Sequence, residues 1–391
     1  MNILWIYDRP LNPEAGGTER ITSLVAKGLS QKGHHCLGMA VFEEHKDGMT
    51  FGGKTYDQVY DFLKVHQVDV VINQIAYSNW LLDKFLLLGG QKWREEGGYI
   101  ISCLHFDPKN PSYLYLLRLK RKKTCADLFH LLKAYLLYSY YGKKQRKKEG
   151  TVYNHIYDSS DRFVTLSPTH FPYLKQVMKR ERYSKLVAIN NPLTFDEISH
   201  PDILKEKRNW VLVCARMSEY HKRISLILKA WQIVQRKSPC AKDWMLKIVG
   251  DGPDLNAYKQ YVVRKEISNI SFEGQQSPEL YYQAARILLL TSSAEGWGLT
   301  LTEGLQRAVV PIVMDSSPVF SEIIKNGDNG FITPDRKLRT FAKKIIYLME
   351  NRLELEQMQL NALSSSEAFG MARTIEKWEK ILTNHNTHIW T

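Results

Sequence analysis

Short apolar runs alternate with amphipathic segments along most of the chain. The first run, Asn2–Tyr7, predicts a buried strand. Apolar residues at helical spacing then predict a helix over Thr18–Lys32, with Thr18 as its N-cap and Gly33 as its stop. Such alternation is typical of βαβ units and a parallel sheet. Further strands are predicted in the first half at 35–42, 68–75, 99–104, 162–166 and 186–189, with a helix at 56–66.

A polar stretch at 193–208, which contains Pro201, predicts a linker, and a second alternating series follows it. The fold class predicted is α/β, with two facing, doubly wound parallel-sheet domains and a ligand cleft at the carboxyl ends of their strands. The domains are expected at 1–195 and 205–370, with a final helix in 371–391 that crosses back to the N-terminal domain. The second series has predicted strands at 210–215, 245–249, 270–272, 287–290 and 310–314, predicted helices at 223–235, 254–264, 278–285 and 300–306, and a helical tail from 335 onward.

Composition supports two globular domains. The 391 residues are 44% hydrophobic and 24% charged, which argues against a largely disordered chain. No apolar run reaches the roughly 18 residues of a membrane-spanning helix. The N-terminus resembles a first strand more than a signal peptide. The five cysteines are scattered without a CxxC pair, so neither a disulfide framework nor a zinc site is predicted, and a cytoplasmic setting is favoured.

Charge is concentrated in one segment. The chain carries a net +13, of which residues 111–150 contribute +9 through eleven Lys or Arg and two acidic residues. Tyrosines and leucines interleave with these cations, as in a helix that lies on an anionic membrane. The alternatives are a solvated insertion at about 110–150 that packs on its own domain, and, less favoured, a nucleic-acid surface. The membrane-surface candidates are Arg118, Lys120, Arg121, Lys122, Lys123, Lys143, Lys144, Arg146, Lys147 and Lys148.

The segment 292–304 joins a buried strand to a helix through a turn with glycines at 296 and 298. Backbone amides exposed by glycine, together with a helix N-terminus, suit a diphosphate. Glu295 and Glu303 flank the turn, and a carboxylate can accept hydrogen bonds from vicinal sugar hydroxyls. The alternative interpretation is an ordinary strand–helix turn with two surface glutamates.

Two cations follow another predicted strand. Arg216 emerges where the strand 210–215 ends, and Lys222 stands near the start of the next helix. Fixed cations there could stabilise a departing diphosphate in place of a divalent metal. Two cations on solvated loops are the alternative.

Weaker signals lie in the first domain. A Gly16-Gly17 turn precedes the first helix but lacks the full dinucleotide-binding pattern, so NAD binding is disfavoured. His105 follows a buried strand at the expected edge of the cleft. In the second domain, the turns at Gly250 and Gly274 follow predicted strands on the same side of the sheet.

Several of these motifs, in this order, resemble the retaining GT-B glycosyltransferases of family 4, also described as glycosyl transferases group 1. Glu295 to Glu303 resembles the E-x7-E motif, and Arg216 with Lys222 resembles the phosphate-binding pair. The segment 16–20 resembles the N-terminal glycine loop. The resemblance is strong over 210–334 and weaker over 1–110 and 160–192. Residues 110–150 have no counterpart, and Trp297 stands where phenylalanine is common.

The resemblance implies a UDP- or GDP-linked sugar donor on the C-terminal domain, transfer with retention, and no metal or other cofactor. Glu303 would hold the ribose hydroxyls and Glu295 those of the transferred sugar, while His105 would approach that sugar from the N-terminal domain. The catalytic candidates are His105, Glu295, Arg216 and Lys222. The donor-binding candidates are Gly16, Gly17, Arg216, Lys222, Gly250, Gly274, Glu295, Gly296, Trp297, Gly298, Leu299, Thr300 and Glu303.

The sequence therefore predicts a retaining, metal-independent glycosyltransferase for surface polysaccharide biosynthesis. It would act on a glycan or lipid-linked acceptor, at the inner face of the membrane, without nucleic acid. Two alternatives remain: a non-catalytic basic protein that binds membranes or nucleic acid, and a nucleotide-sugar epimerase of the same fold.

Overall fold

The computed structural model describes residues 1–14, 16–41, 48–109 and 138–383, which form two α/β units. The described residues of the first unit lie in 1–109, 138–194 and 370–383, and those of the second in 195–369. The predicted insertion at about 110–150 is described only from 138 onward. Arg118, Lys120, Arg121, Lys122 and Lys123 therefore lie outside the described residues.

The first unit is built on an eight-stranded sheet of order β4-β3-β2-β1-β5-β6-β7-β8. All of its pairings are parallel except β2–β3 and β3–β4. Its strands are β1 (Asn2–Tyr7), β2 (His35–Ala40), β3 (Met49–Phe51), β4 (Lys54–Tyr56), β5 (Val70–Asn73), β6 (Tyr99–Leu104), β7 (Arg162–Thr165) and β8 (Leu186–Ala188). Its helices before the second unit are α1 (Gly17–Gln31), α2 (Tyr60–Val65), α3 (Trp80–Phe85), α4 (Gln91–Glu95), α5 (Tyr138–Asp158) and α6 (Phe171–Met178).

The second unit has a six-stranded parallel sheet of order β11-β10-β9-β12-β13-β14. Its strands are β9 (Trp210–Cys214), β10 (Met245–Val249), β11 (Ile270–Gly274), β12 (Ile287–Leu290), β13 (Val310–Asp315) and β14 (Phe331–Pro334). Its helices are α7 (Glu219–Lys222), α8 (Ile224–Lys237), α9 (Leu255–Arg264), α10 (Glu279–Ala284), α11 (Leu299–Gln306), α12 (Phe320–Ile323), α13 (Leu338–Glu350) and α14 (Arg352–Ser366).

Apolar patterning explains where these elements lie. All residues of β5 and β12 are buried, because helices cover both faces of the sheet at its centre. Helix α8 buries Ile227, Trp231 and Val234 at spacings of three and four residues, which places its apolar stripe on the core of the second unit.

The final helix, α15 (Met371–Thr383), belongs to the first unit and packs against α1. Gly28 of α1 permits this approach, since a Cβ there would lie 2.6 Å from a methyl of Ile375. Trp378 of α15 meets Trp5 of β1 with ring centroids 5.9 Å apart. The C-terminal segment therefore completes the core of the first unit.

The segment 193–208, predicted as a linker, lies almost entirely within the second unit. Residues 195–369 belong to the second unit, and side chains from the end of α11 bind the backbone at the start of this range. Gln306 donates to the carbonyls of Phe195 and Glu197 at 2.7 and 2.9 Å. Lys207 is buried and donates from Nζ to the carbonyls of Tyr282 and Arg307. The polar composition of this segment therefore does not indicate a free linker, because long side chains hydrogen-bond it to the second unit.

Three local predictions need correction. Helix α1 begins at Gly17 after an N-cap at Gly16, so Thr18 lies inside it. The hairpin of β3 and β4 was not predicted, although Gly52-Gly53 between two short runs is a hairpin signal and both glycines have positive φ. Strand β14 was also missed because Thr333 interrupts its short apolar run.

Candidate active site

The second unit has a topological switch point between β9 and β12. The chain moves from β9 outward to β10 and β11, then returns to β12 on the other side. Loops at the carboxyl ends of two such strands diverge and leave a crevice where α/β proteins bind ligands. Arg216 follows β9 and Glu295 follows β12, so the sheet brings the two predicted motifs to one edge.

The loop that carries Arg216 is shaped by the turn after β10. A Cβ on Gly250 would lie 2.1 Å from the carbonyl oxygen of Ala215, and one on Gly252 would lie 2.7 Å from that of Met217. Both glycines also have positive φ. Met217 donates its N–H to the carbonyl of Asp251 at 2.8 Å. Gly250 therefore restricts the conformation of the loop that carries the exposed Arg216 side chain. Binding of the donor by Gly250 and by Arg216 stays a prediction.

Lys222 and Glu295 form an ion pair. Lys222 lies at the end of α7 and donates from Nζ to Oε1 of Glu295 at 2.6 Å, and the two side chains are 24% and 13% exposed. Two backbone contacts hold the Glu295 loop in place: the N–H of Ser293 donates to the carbonyl of His221, and the Ser317 hydroxyl donates to the carbonyl of Glu295. The site thus holds a cation and a carboxylate side by side.

The pKa of His221 is shifted by the charged residues around it. Its pKa is lowered by partial burial and by the positive charges of Lys222 and Arg216, while Glu295 acts in the opposite direction. All three predicted groups therefore lie close enough to act on one imidazole, which supports a single cluster. Its net charge is positive because two cations face one carboxylate.

Arg223 is a residue of this site that the sequence pattern does not single out, since the pattern predicts it only as the first residue of a helix. Its side chain is buried, donates to the carbonyls of Thr291 and Ser292, and pairs with Asp335 at 2.8 Å. Its backbone is left-handed, with a φ of 50°. Arg223 thus joins the end of α7 to the loop after β12 and positions Lys222. No local pattern signals this role.

Helix α11 begins directly after the glycine turn. Its N-cap, Gly298, has a φ of 94° and supplies no side-chain cap. The first amides of the helix, at Leu299 and Thr300, therefore donate no hydrogen bond to a side chain at the cap position. This helix start and its partial positive charge lie next in sequence to Glu295.

The three other predicted residues of this segment, Gly296, Trp297 and Glu303, are buried. Trp297 is 3% exposed and packs against Phe369 with ring centroids 5.5 Å apart. Its ring is therefore part of the core, and the binding of the donor by Trp297 stays a prediction. Glu303 is 3% exposed beside Tyr282. The pKa of Tyr282 is raised well above its usual value by burial and by the nearby Cys214 and Glu303.

In the first unit, His105 follows β6 and is held by a glutamine. Its Nε2 lies 2.5 Å from Oε1 of Gln74, which also accepts from the Thr22 hydroxyl at 3.1 Å. Burial lowers the pKa of His105 to about 4, so the imidazole is neutral at physiological pH. Nδ1 is buried and has no partner among the described residues. His105 is half-buried, and its contact with the transferred sugar stays a prediction.

The remaining predicted residues are dispersed. Gly16 and Gly17 lie in the first unit at the start of α1, where the φ of Gly16, −172°, is extended. Gly274 ends β11 with open space around its Cβ position. Within the described residues no disulfide joins the cysteines and no cluster of three potential metal ligands occurs, while Cys125 lies outside them. In the part of the chain that the structure describes, no helix is both long and apolar enough to span a membrane.

Comparison with known proteins identifies the second unit. Residues 195–371 match the family described as Glycosyl transferases group 1. This unit is a glycosyl transferases group 1 domain. The match covers the Arg216, Lys222, Glu295 and Glu303 positions and nearly all of the second unit, so these residues belong to a glycosyltransferase domain.

Relatives extend the likeness to the whole chain. An uncharacterized glycosyltransferase of Haemophilus influenzae is 24% identical over 378 residues, which cover 94% of this chain and 96% of the relative. The alpha-monoglucosyldiacylglycerol synthase of Acholeplasma laidlawii is 30% identical over 126 residues, which cover 31% of each chain.

Solved structures show the fold of the glycosyltransferase. Anabaena HepE, solved in complex with UDP-glucose, matches with a TM-score of 0.69 at 16% identity, over 98% of this chain and 100% of that structure. The chain spans 60 to 64% of some longer solved glycosyltransferases. Together with the two α/β units, these likenesses establish the GT-B fold that the sequence predicted.

Proposed function

We propose that this glycosyltransferase moves a sugar from a nucleotide diphosphate sugar to a glycan or lipid-linked acceptor, with retention of configuration and without a metal, as a member of family 4. One observation carries the proposal. At the β9/β12 switch point, Arg216, the Lys222–Glu295 pair and the start of α11 combine positive charge with a carboxylate. A diphosphate sugar carries anionic oxygens next to vicinal hydroxyls, which is the matching pattern.

The diphosphate is the proposed ligand of the cations and of the α11 amides. Arg216 is exposed, and Lys222 retains two ammonium protons beyond the one given to Glu295. Departure of a nucleoside diphosphate concentrates negative charge on its oxygens in the transition state. Groups fixed before the reaction stabilise that charge without reorganisation. This is the physical reason to propose that no metal is required.

The two glutamates are the proposed ligands of hydroxyl groups. Glu295 is held in its loop by its pairing with Lys222, so a sugar bound beside the diphosphate meets an oriented acceptor. Glu303 lies one turn into α11 and is proposed to accept from the ribose. Anabaena HepE was solved with UDP-glucose, which supports a UDP-linked donor here, although GDP stays an alternative.

His105 remains a candidate contact for the transferred sugar. Because its ring is neutral, it would act as a hydrogen-bonding group and not as a third cation. Gln74 holds Nε2, which fixes the orientation of the ring.

A panel of UDP-, GDP- and ADP-sugars, with and without EDTA, tests the donor proposal by thermal shift and calorimetry. We expect one nucleotide class to stabilise the protein equally in both conditions. Glu303→Ala should raise the Kd of that donor strongly, whereas Glu322→Ala, a change of another glutamate in the same unit, should not. Binding that disappears with EDTA would contradict metal independence. Interconversion of the donor without an acceptor would favour an epimerase.

We also propose peripheral attachment to an anionic membrane through α5. Lys143, Lys144, Arg146, Lys147 and Lys148 are exposed on its first half. The second half is anchored by buried apolar residues such as Ile156 and Tyr157. Each cation near an anionic surface contributes about 1 kcal/mol before screening. The lipid product named for the Acholeplasma laidlawii relative supports a lipid-linked acceptor.

Vesicle sedimentation tests this attachment. We expect binding to vesicles that contain phosphatidylglycerol, loss of binding in Lys143→Glu/Lys147→Glu, and little binding to phosphatidylcholine alone. The matched control, Lys237→Glu/Lys229→Glu, changes two cations of the second unit and should bind as the unchanged protein does. Equal binding to both vesicle types would contradict an electrostatic attachment.

A further inference from the structure

Two aromatic side chains are exposed at the carboxyl edge of the first sheet. Tyr77 follows β5 and is 42% exposed, and Phe106 follows β6 and is 53% exposed. Their rings meet edge to face, with centroids 5.4 Å apart and an interplanar angle of 83°. Two large rings in contact but turned to solvent form an apolar corner, and a ligand that covered it would gain from the burial of apolar surface.

A polar pair borders this corner. Asp8 follows β1, and its Oδ2 lies 3.5 Å from the Tyr77 hydroxyl. Arg9 donates to the same carboxylate from Nε and Nη2 at 3.1 and 3.3 Å, and its side chain is 62% exposed. Nη1 of Arg9 has no partner within the described residues. Hydrogen-bonding groups therefore stand beside the apolar rings.

The location is not arbitrary. The strand order places β1 next to β5 and β5 next to β6, and the chain changes direction between β1 and β5. Asp8, Tyr77 and Phe106 follow these three neighbouring strands, so they lie at the switch point of the first sheet. This is the place in an open α/β sheet where ligands bind.

We propose that Tyr77 and Phe106, with the Asp8–Arg9 pair, bind a sugar ring of the acceptor. A pyranose has an apolar face of C–H groups that packs on an aromatic ring and an equatorial rim of hydroxyls that hydrogen-bonds to a carboxylate or a guanidinium. A lipid chain would not use the ion pair, and a phosphate would be repelled by Asp8. The inference deepens the proposed function, on which it rests, by assigning a carbohydrate to the acceptor site.

The experiment measures oligosaccharide binding and nucleotide binding separately. Saturation-transfer NMR with a panel of di- and trisaccharides, carrying neutral, N-acetylated and uronic acid residues, detects weak binding and identifies the sugar face in contact. UDP binding is measured on the same samples by calorimetry. The variants are Tyr77→Ala and Phe106→Ala, with Phe106→Tyr as the ring-preserving partner. Leu87→Ala removes a side chain that is 83% exposed in the same unit and serves as the control.

We expect each alanine variant to weaken oligosaccharide binding about tenfold, as loss of one ring contact implies. Phe106→Tyr and Leu87→Ala should bind within about twofold of the unchanged protein. The Kd of UDP should not change in any variant. Unchanged oligosaccharide affinity in both alanine variants overturns the inference, as does a protein that binds UDP but no member of the panel. A protein that binds oligosaccharides through these rings but no nucleotide overturns the proposed function alone.

Discussion

The two units share a doubly wound topology but equip their switch points differently. In the second unit, the β9/β12 edge carries ionised groups in fixed contacts, with Lys222 on Glu295 and Arg223 on the loop behind them. In the first unit, the β1/β5 edge carries exposed rings at Tyr77 and Phe106 and a neutral His105. The same strand arrangement therefore creates a crevice at the switch point of each sheet, and the side chains at its edge determine which kind of ligand fits there.

The backbones of the two edges also differ. The Arg216 loop is confined by Gly250 and Gly252, whose Cβ positions are filled by neighbouring backbone. Gly16, at the first helix of the other unit, has an extended backbone, and its nearest neighbour is the flexible end of Glu19. A site that must place charges to within fractions of an ångström needs the rigid arrangement, whereas ring stacking tolerates a looser one.

The largest expected effect tests the charged edge. Arg216→Ala should lower kcat/KM by about 100- to 1000-fold, as loss of a preorganised group at a developing charge does, without changing the free energy of unfolding. The rate of UDP release from the donor sugar measures it. Lys229→Ala, an exposed cation on α8 of the same unit, is the control and should retain activity. A loss of less than threefold in Arg216→Ala would remove it from the mechanism.

A smaller effect tests the rigidity of that edge. Gly250→Ala should destabilise the second unit by about 3 kcal/mol, because the new Cβ meets the carbonyl of Ala215 and the φ of 127° is strained for alanine. Gly327→Ala has a similar positive φ but open space around it, and should cost only about 1 kcal/mol. Urea unfolding measures both. Equal losses would show that only backbone strain matters and that the close approach is unimportant.

The smallest expected effect is a pH dependence of the free energy of unfolding that comes from two histidines of the first unit. Burial lowers the pKa of His105 and His170, both in the first unit, from 6.5 to about 4. Below pH 6.5 the unfolded chain takes up protons that the folded unit does not, so stability falls as the pH falls toward 4. Each histidine contributes about 1.4 kcal/mol per pH unit in that window.

His170→Phe should reduce this pH slope by about half if the two histidines dominate it. The free energy of unfolding of the unchanged protein and the variant, measured by urea titration at several values between pH 4.5 and 7, gives the comparison. The exposed His200→Phe is the control. An unchanged slope in His170→Phe would mean that other groups control the acid sensitivity.

Sequence patterning located most of the fold. Strands β1, β6, β10 and β12 have the predicted bounds, because a short run that is apolar on both faces is typical of a central parallel strand. Short elements such as β3, β4 and β14 were missed because a polar residue interrupts each apolar run, whereas β8 and β12 are as short but continuously apolar. The resemblance to glycosyl transferases group 1 over the second unit and the GT-B fold are confirmed by the comparisons. Membership of family 4, retention, metal independence and the individual residue roles stay predictions.

The sequence by itself determined where the candidate site residues stand, because Glu295, Arg216 and Lys222 follow predicted strands, and that is a local property of the chain. Only the tertiary structure decided which contacts the residues of the two units make. In the folded chain Trp297 packs in the core against Phe369, and the buried Arg223 side chain donates a hydrogen bond to the carbonyl of Ser292. The fold also places the Tyr77 and Phe106 rings in contact. These contacts join residues distant in sequence, so no local pattern encodes them.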